Sequence, residues 1–343
     1  MDWETDRSLQ LRMLATLGLI VVLPLVFTYT LAAALNWIVF PMVAENGSSP
    51  TISFNPLVVL GLTIFGMAIA YFKGGEMALS STGARLVSEE DRPELHGRVQ
   101  RLAATVGMAK PQVAIIDSNT PNAFATDASG REPTVAVTTG LLDTLDGEEL
   151  DAVLAHELAH IKNRDATVMS IAYLLPTLTY IVSTVMFTFL RFFIRAFARP
   201  TRASGRNRGG GKAVIVVIVA AIVTLTVSAV FWLASNVLFR LLSQYREYAA
   251  DRGAAAITGN PLALASALET IDGEMRSLPD RDLRDLDGGV EALYIASLEL
   301  PMFNDDDDSL AGELLSQELF PASHPPTAQR IERLRALSTE LEV

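Results

Sequence analysis

Apolar residues gather into four long runs without a charged side chain, at about 13–43, 56–72, 166–190 and 213–239. Each is close to the roughly 20 residues a helix needs to cross a bilayer core, so the pattern predicts membrane-embedded helices. A short polar segment with Asn46, Gly47, Ser48 and Ser49 separates the first two runs, as in a hairpin. The first run is too long for the apolar core of a cleaved leader, and Asp2, Glu4 and Asp6 accompany Arg7 and Arg12 before it, which predicts a retained helix. Between the second and third runs the periodicity changes. Leu95, Val99, Leu102 and Val106 predict a helix over 89–108 that Pro111 stops. Two β-rich runs, 113–116 and 134–139, predict strands joined by a turn-rich stretch with Pro121, Asn122, Ser129 and Gly130. A second helix is expected after Asp146, which caps backbone N–H groups while Glu149 reaches back to complete a capping box. Leu150, Val153, Leu154, Leu158 and Ile161 form its apolar side. The chain from about Ser243 reads as helical and acidic, with a turn from Ser323 to Pro326 before a last amphipathic helix. Four parts result: an N-terminal transmembrane hairpin at 1–73, a soluble block at 74–165, a second hydrophobic hairpin at 166–240 and a helical C-terminal block at 241–343.

Composition narrows the chemistry. Half of the residues are apolar, which an ordinary soluble domain seldom shows. The absence of cysteine excludes disulfides, thiolate nucleophiles and Cys-based zinc sites, so any metal must be held by His, Asp or Glu. The net charge is -12, with 4 lysines against 23 arginines and an unbroken acidic run from Asp305 to Asp308. That balance suits an acidic, salt-tolerant surface and argues against nucleic acid as a partner.

His156-Glu157-Leu158-Ala159-His160 is an H-E-x-x-H sequence inside the second predicted helix. The i, i+4 spacing puts both imidazoles on one face, able to grip one metal ion, while Glu157 is turned by about 100° and reaches a water there. Such a site polarises a scissile carbonyl, and the carboxylate takes the water's proton and delivers it to the leaving amine. A catalytic zinc normally takes three protein ligands, and no third histidine follows closely, so a carboxylate is required. Glu247, in Arg246-Glu247-Tyr248-Ala249-Ala250-Asp251, is the best candidate, with Asp251 one turn on and able to hold a ligand histidine by its other ring nitrogen. On spacing alone, a Glu and an Asp one turn apart, as Glu247 and Asp251 are, more often form a solvated helix face.

Several segments, in order, resemble the HtpX-type membrane metallopeptidases, relatives of the type I CaaX prenyl endopeptidase. They are Pro121 to Thr126, Val135 to Gly140, His156 to Asp165, Arg246 to Asp251, and Ser323-His324-Pro325-Pro326. The resemblance implies a mainly α membrane protein with about four transmembrane helices and an α+β zincin-like catalytic domain with a small β-sheet. It implies one Zn2+ per chain, held by His156, His160 and the Glu that matches Glu247. It also implies that Asn122, Ala123 and Phe124 and the strand with Val135 and Val137 line a cleft where an extended polypeptide pairs with a strand edge. Read as residues only, Phe124 and the valines fit a hydrophobic core equally well. His324 and Arg330 match a His and an Arg that help stabilise the oxyanion in the prenyl-endopeptidase branch. By themselves they fit a turn histidine and a helix-surface arginine. Asp127 stands where the family usually has Gly, and His96, with no matched role, reads as a surface residue.

His160 and Glu247 flank the third and fourth runs, so those runs must return the chain to one side of the bilayer. The first loop, around 45–54, has no Lys or Arg, which places it outside and the catalytic blocks in the cytoplasm of a multi-pass plasma-membrane protein. The loop from Arg191 to Lys212 carries seven positive residues and then falls outside, against the same rule. The expected function is a zinc endopeptidase acting on misfolded or membrane polypeptides. Alternatives are a prenyl-protein processing endopeptidase and a membrane scaffold whose zinc is structural, which would have no need of Glu157.

Overall fold

The computed structural model describes residues 7–44, 50–81, 83–126, 132–172, 174–197, 210–277 and 325–341. They divide into two units, one drawn from Met1–Ala15, Ile69–Ile171 and Arg240–Val343, the other from Thr16–Ala68 and Ala172–Phe239. The fold is mostly helical with one small mixed sheet.

The second unit takes its residues from four helices: α1 (Arg7–Ala34), α2 (Pro56–Ser81), α7 (Leu174–Phe197) and α8 (Gly210–Thr258). Among the described residues, two stretches are long and apolar enough to cross a membrane, Leu11–Val43 and Val214–Thr258. Only 22% and 17% of their most apolar windows are buried within the protein, unlike the core helix of a soluble domain. Pro56–Ile69 and Leu178–Thr188 are shorter apolar helices. The side chain of Asn36 closes the connection between α1 and α2. Its Nδ2 donates to the Ile52 carbonyl and its Oδ1 accepts from the Ile52 N–H, both at 2.8 Å.

In the first unit the sheet runs β1 (Arg85–Leu86), β2 (Gln112–Ile116), β4 (Thr134–Thr138), β3 (Ala123–Thr126) in spatial order. β2 and β4 are parallel, with Val113 opposite Val135, and the outer strands are antiparallel to them. The strand β3 lies in the stretch read from sequence only as turn. Its backbone is extended because Asn122 is pinned on both sides: its N–H donates to Thr138 Oγ1 at 2.9 Å, and its Oδ1 accepts from Ala123 N–H at 2.8 Å. Alternate residues serve opposite faces. Val113, Ile115, Ala123, Val135 and Val137 join the main core, while Ala114, Ile116, Phe124 and Ala136 form a smaller cluster on the other face.

The main core is completed by α3 (Pro93–Thr105), α4 (Thr139–Thr144), α5 (Gly147–Asn163), α9 (Pro261–Ser277) and α10 (Thr327–Leu341). The expected capping box at the start of α5 is formed: Asp146 Oδ1 accepts from the N–H groups of Glu148 and Glu149, and Glu149 Oε2 accepts from Asp146 N–H. The other carboxylate oxygen of Glu149 accepts from Ser266 Oγ at 2.6 Å and Thr270 Oγ1 at 3.1 Å, tying α5 to α9. Arg98 on α3 bridges Gly147 O and Asp151, at 2.8 and 2.9 Å. Leu154 and Leu158 are wholly buried, each stabilising this helix by about 1.5–3 kcal/mol. His96 is not a surface residue: it is buried, with Nε2 3.1 Å from the Val87 carbonyl oxygen, because α3 turns that face towards the chain leaving β1.

Candidate metal centre

A helix packed this firmly fixes the directions of its own side chains. His156 and His160 lie one turn apart on α5 with ring centroids 4.6 Å apart and planes near perpendicular, and their Nε2 atoms are separated by 3.0 Å. Glu247, on the C-terminal part of α8, brings Oε2 to 3.4 Å from His156 Nε2 and Oε1 to 3.6 Å from His160 Nε2. These three are the group of His and acidic side chains that can hold a metal ion among the described residues. The fit is chemical as well as spatial. For donors about 2.05 Å from a tetrahedral ion, the separation between donors is about 3.3 Å, in the range of the distance between the imidazoles and of the distance from each imidazole to its nearer Glu247 oxygen. Two imidazoles and a carboxylate also leave one tetrahedral position open.

Around the triangle stands a second layer of buried groups. Asp165 Oδ2 is hydrogen-bonded to His160 Nδ1 at 2.5 Å, and Asp251 Oδ1 lies 3.1 Å from His156 Nδ1 as an ion pair outside hydrogen-bond geometry. Arg330, on α10, donates Nε to Asp251 Oδ2 at 3.0 Å and Nη2 to Asp251 Oδ1 at 2.6 Å, a two-toothed grip on one carboxylate. Its Nη2 also lies 3.4 Å from His156 Nε2, and its Nη1 lies 3.5 Å from Glu247 Oε2. Arg246 Nη2 donates to Glu247 Oε1 at 3.0 Å. Glu157, Asp165, Glu247 and Asp251 are all buried, against two buried arginines, so the site holds more carboxyl groups than cationic side chains.

Burial opposes charge on His156, but its contacts with the Asp251 and Glu247 carboxylates outweigh it and push the pKa up to about 9. Burial likewise opposes charge on Asp251, yet the Arg330 guanidinium, with His156, holds its carboxyl below the ordinary carboxylate range. A ligand imidazole must be neutral, so a metal ion held by His156 would compete with a proton there.

Among the residues singled out from sequence, His156, Glu157, His160, Glu247, Asp251 and Arg330 lie in one buried region, while His324 lies outside the described residues, as does Asp127. Val135 and Val137 stand on an inner strand of the sheet. Both main-chain edges of β4 are used by β2 and β3, and both valine side chains are wholly buried in the core. The outer strand is β3, where Ala123 and Phe124 are themselves buried. Asn122 is buried too, and its Nδ2 has no hydrogen-bond partner within the described residues. Two residues of the site went unassigned in the sequence reading, Asp165 and Arg246. Asp165 follows Arg164, whose φ of 57° ends α5 in the left-handed region and starts α6 (Asp165–Ala172) in a new direction. Such a turn at a non-glycine residue has no clear sequence mark. Arg246 adjoins Glu247, and pairing with a buried acid is its visible signal.

Known proteins are similar to this chain in sequence. The model of peptidase family M48 matches residues 89–338. The protease HtpX homolog 2 of Methanosarcina mazei is 38% identical over 339 residues, covering 99% of this chain and 98% of that protein. The protease HtpX homolog of Moorella thermoacetica is 39% identical over 291 residues, covering 85% and 87%. The crystal structure of S. mikatae Ste24p is similar with a TM-score of 0.47 and 20% identity, over 90% of this chain and 62% of that one. The family match over residues 89–338, joined to 38% and 39% identity along most of the chain with proteases of one kind, establishes that this protein belongs to peptidase family M48.

Proposed function

We propose that the chain is a zinc-dependent endopeptidase that hydrolyses peptide bonds of misfolded or membrane polypeptides, with His156, His160 and Glu247 as the metal's ligands. The observation that carries this reading is the buried cluster from α5 and α8 in which the two Nε2 atoms lie 3.0 Å apart, each faces a Glu247 carboxylate oxygen at 3.4 or 3.6 Å, and one donor atom from each residue lies within 4.8 Å of the others. When bound, zinc supplies a Lewis acid that polarises the scissile carbonyl and makes water acidic. Glu157 accepts the proton of the attacking water as its oxygen bonds to the carbonyl carbon, then returns it to the leaving nitrogen as the C–N bond breaks. Asp165 and Asp251 fix the two imidazoles by their Nδ1 atoms and keep Nε2 turned inward. The open side of β3 is the edge at which the main chain of an extended substrate adds as a further strand, next to Asn122, Ala123 and Phe124.

In this reading, segments 1–73 and 166–240 lie in the membrane as two hairpins, and 74–165 and 241–343 together build the catalytic block on the cytoplasmic face. The mostly exposed apolar surfaces of the two long helices support membrane embedding, and the first loop, free of Lys and Arg, supports the orientation. The test uses the full chain purified in detergent and loaded with zinc. It is expected to cut casein, to stop on chelation and to resume on adding zinc. A preparation that holds stoichiometric zinc but leaves casein and unfolded membrane proteins intact refutes the proposal.

A further inference from the structure

Arg330 reaches the centre from the far end of the chain. It lies on α10, 79 residues beyond Asp251 and 174 beyond His156. The helix is seated by Leu334, buried to 1% exposure one turn after Arg330, and by Ile331 against the same core. Its outer side is fastened separately. Arg333 stacks 3.8 Å over the Tyr248 ring, Gln329 Oε1 accepts from the Tyr248 hydroxyl at 3.3 Å, and Arg335 pairs with Glu269 on α9. This seating carries the guanidinium into a site where its Nε and Nη2 are both spent on Asp251.

We propose that Arg330 is a positioning residue for the metal centre. Through its paired hydrogen bonds it fixes the Asp251 carboxylate, which in turn fixes the ring of His156, so that docking of the C-terminal helix α10 sets the metal affinity. The inference rests on His156 being a metal ligand. Its physical basis is geometric: a carboxylate held at both oxygens presents Oδ1 to His156 Nδ1 in one direction, whereas an unpaired buried carboxylate turns or draws in water. The paired bonds also offset the burial of the Asp251 charge. An arginine that only stabilised charge on the reacting carbonyl would have different consequences, because its loss would slow turnover and leave metal affinity alone.

The experiment measures the zinc dissociation constant of the full chain in detergent, by competition with a chromophoric chelator, and the visible spectrum of the cobalt-substituted protein. The variants are R330A, D251N, the double variant R330A/D251N, R330K, R335A and H156A. Arg330→Ala is expected to weaken zinc binding about 10 to 100-fold, the usual cost of removing an outer partner of a ligand, and to alter the cobalt spectrum. Because both residues act through one imidazole, the double variant is expected to bind no more weakly than the weaker single. Arg335→Ala, which loosens only the exposed pair on α10, is expected to bind zinc as wild type does. If R330A does not accumulate folded, R330K answers the same question. Lysine keeps the charge but cannot span both carboxylate oxygens, and a several-fold loss of affinity is expected. Wild-type affinity in R330A or R330K, or losses that add in the double variant, overturn the proposal. Wild-type affinity in H156A instead overturns the ligand assignment beneath it.

Discussion

Asp165 offers a sharp test of how the centre is built. Its carboxylate stands 2.5 Å from His160 Nδ1 and is 2% exposed. Replacement by Asn keeps the volume and an acceptor oxygen but removes the charge, and a charge-assisted hydrogen bond is roughly twice as strong as a neutral one. Replacement by Leu removes the acceptor and leaves the ring N–H of a buried imidazole without its carboxylate, at a cost of about 1–3 kcal/mol. Outer partners of metal ligands typically contribute 10 to 100-fold in affinity, or about 1.4–2.7 kcal/mol. Asp165→Asn is therefore expected near 10-fold weaker zinc binding and Asp165→Leu near 100-fold, with peptidase activity at limiting zinc falling in the same order. Chelator competition on the detergent-solubilised chain gives both constants, and thermal melting of the metal-free variants separates misfolding from ligand disorder. Asp165→Leu that melts like the wild type and binds zinc as tightly refutes the argument.

Glu157→Gln is expected to retain zinc while losing about 10²- to 10⁴-fold in turnover, measured by metal analysis beside a peptidase assay, since the amide cannot take the water's proton. Glu247→Ala is expected to lower zinc occupancy and activity together, because two imidazoles alone make an incomplete site; equal occupancy would move the third ligand elsewhere. Gly140→Ala places a Cβ 2.0 Å from the Asn119 carbonyl oxygen, so the backbone beside Asn122 must shift, with an expected loss of at least about 2 kcal/mol in denaturant unfolding. In this cysteine-free chain, Ser53→Cys is expected to react with an impermeant reagent on intact cells and Ser88→Cys only after lysis, and the reverse pattern would invert the orientation.

Much of the fold was legible because local patterns agreed with their surroundings. The helical spacing of Leu95, Val99 and Leu102, the Asp146–Glu149 capping box and the runs behind β2 and β4 each produced the expected element. The strand β3 was hidden because its extended state is imposed from outside, by Thr138 and the antiparallel pairing with β4, in a segment whose own residues favour a turn. The inner position of Val135 and Val137 in the sheet was hidden for a related reason. Strand-forming residues look alike in an edge strand and in a central one, and only the position of β3 beyond β4 distinguishes them.

The centre divides along the same line. His156, Glu157 and His160 are legible because one helix fixes their relations, and four residues of separation means one face wherever the helix goes. Glu247, Asp251 and Arg330 meet them only after α8 and α10 dock, so sequence shows their types and not their distances. What the docking produces is a buried region with Glu157, Asp165, Glu247 and Asp251 against Arg246 and Arg330. Taking such groups out of water is costly unless each is paired, and here the four acids outnumber the two arginines. A divalent cation bound by His156, His160 and Glu247 redresses that balance while displacing the proton that His156 otherwise holds up to about pH 9. If the proposed ligands hold the metal, the carboxylates that make the site expensive to fold without it would also favour its binding, so metal affinity and stability of the catalytic unit are expected to rise and fall together.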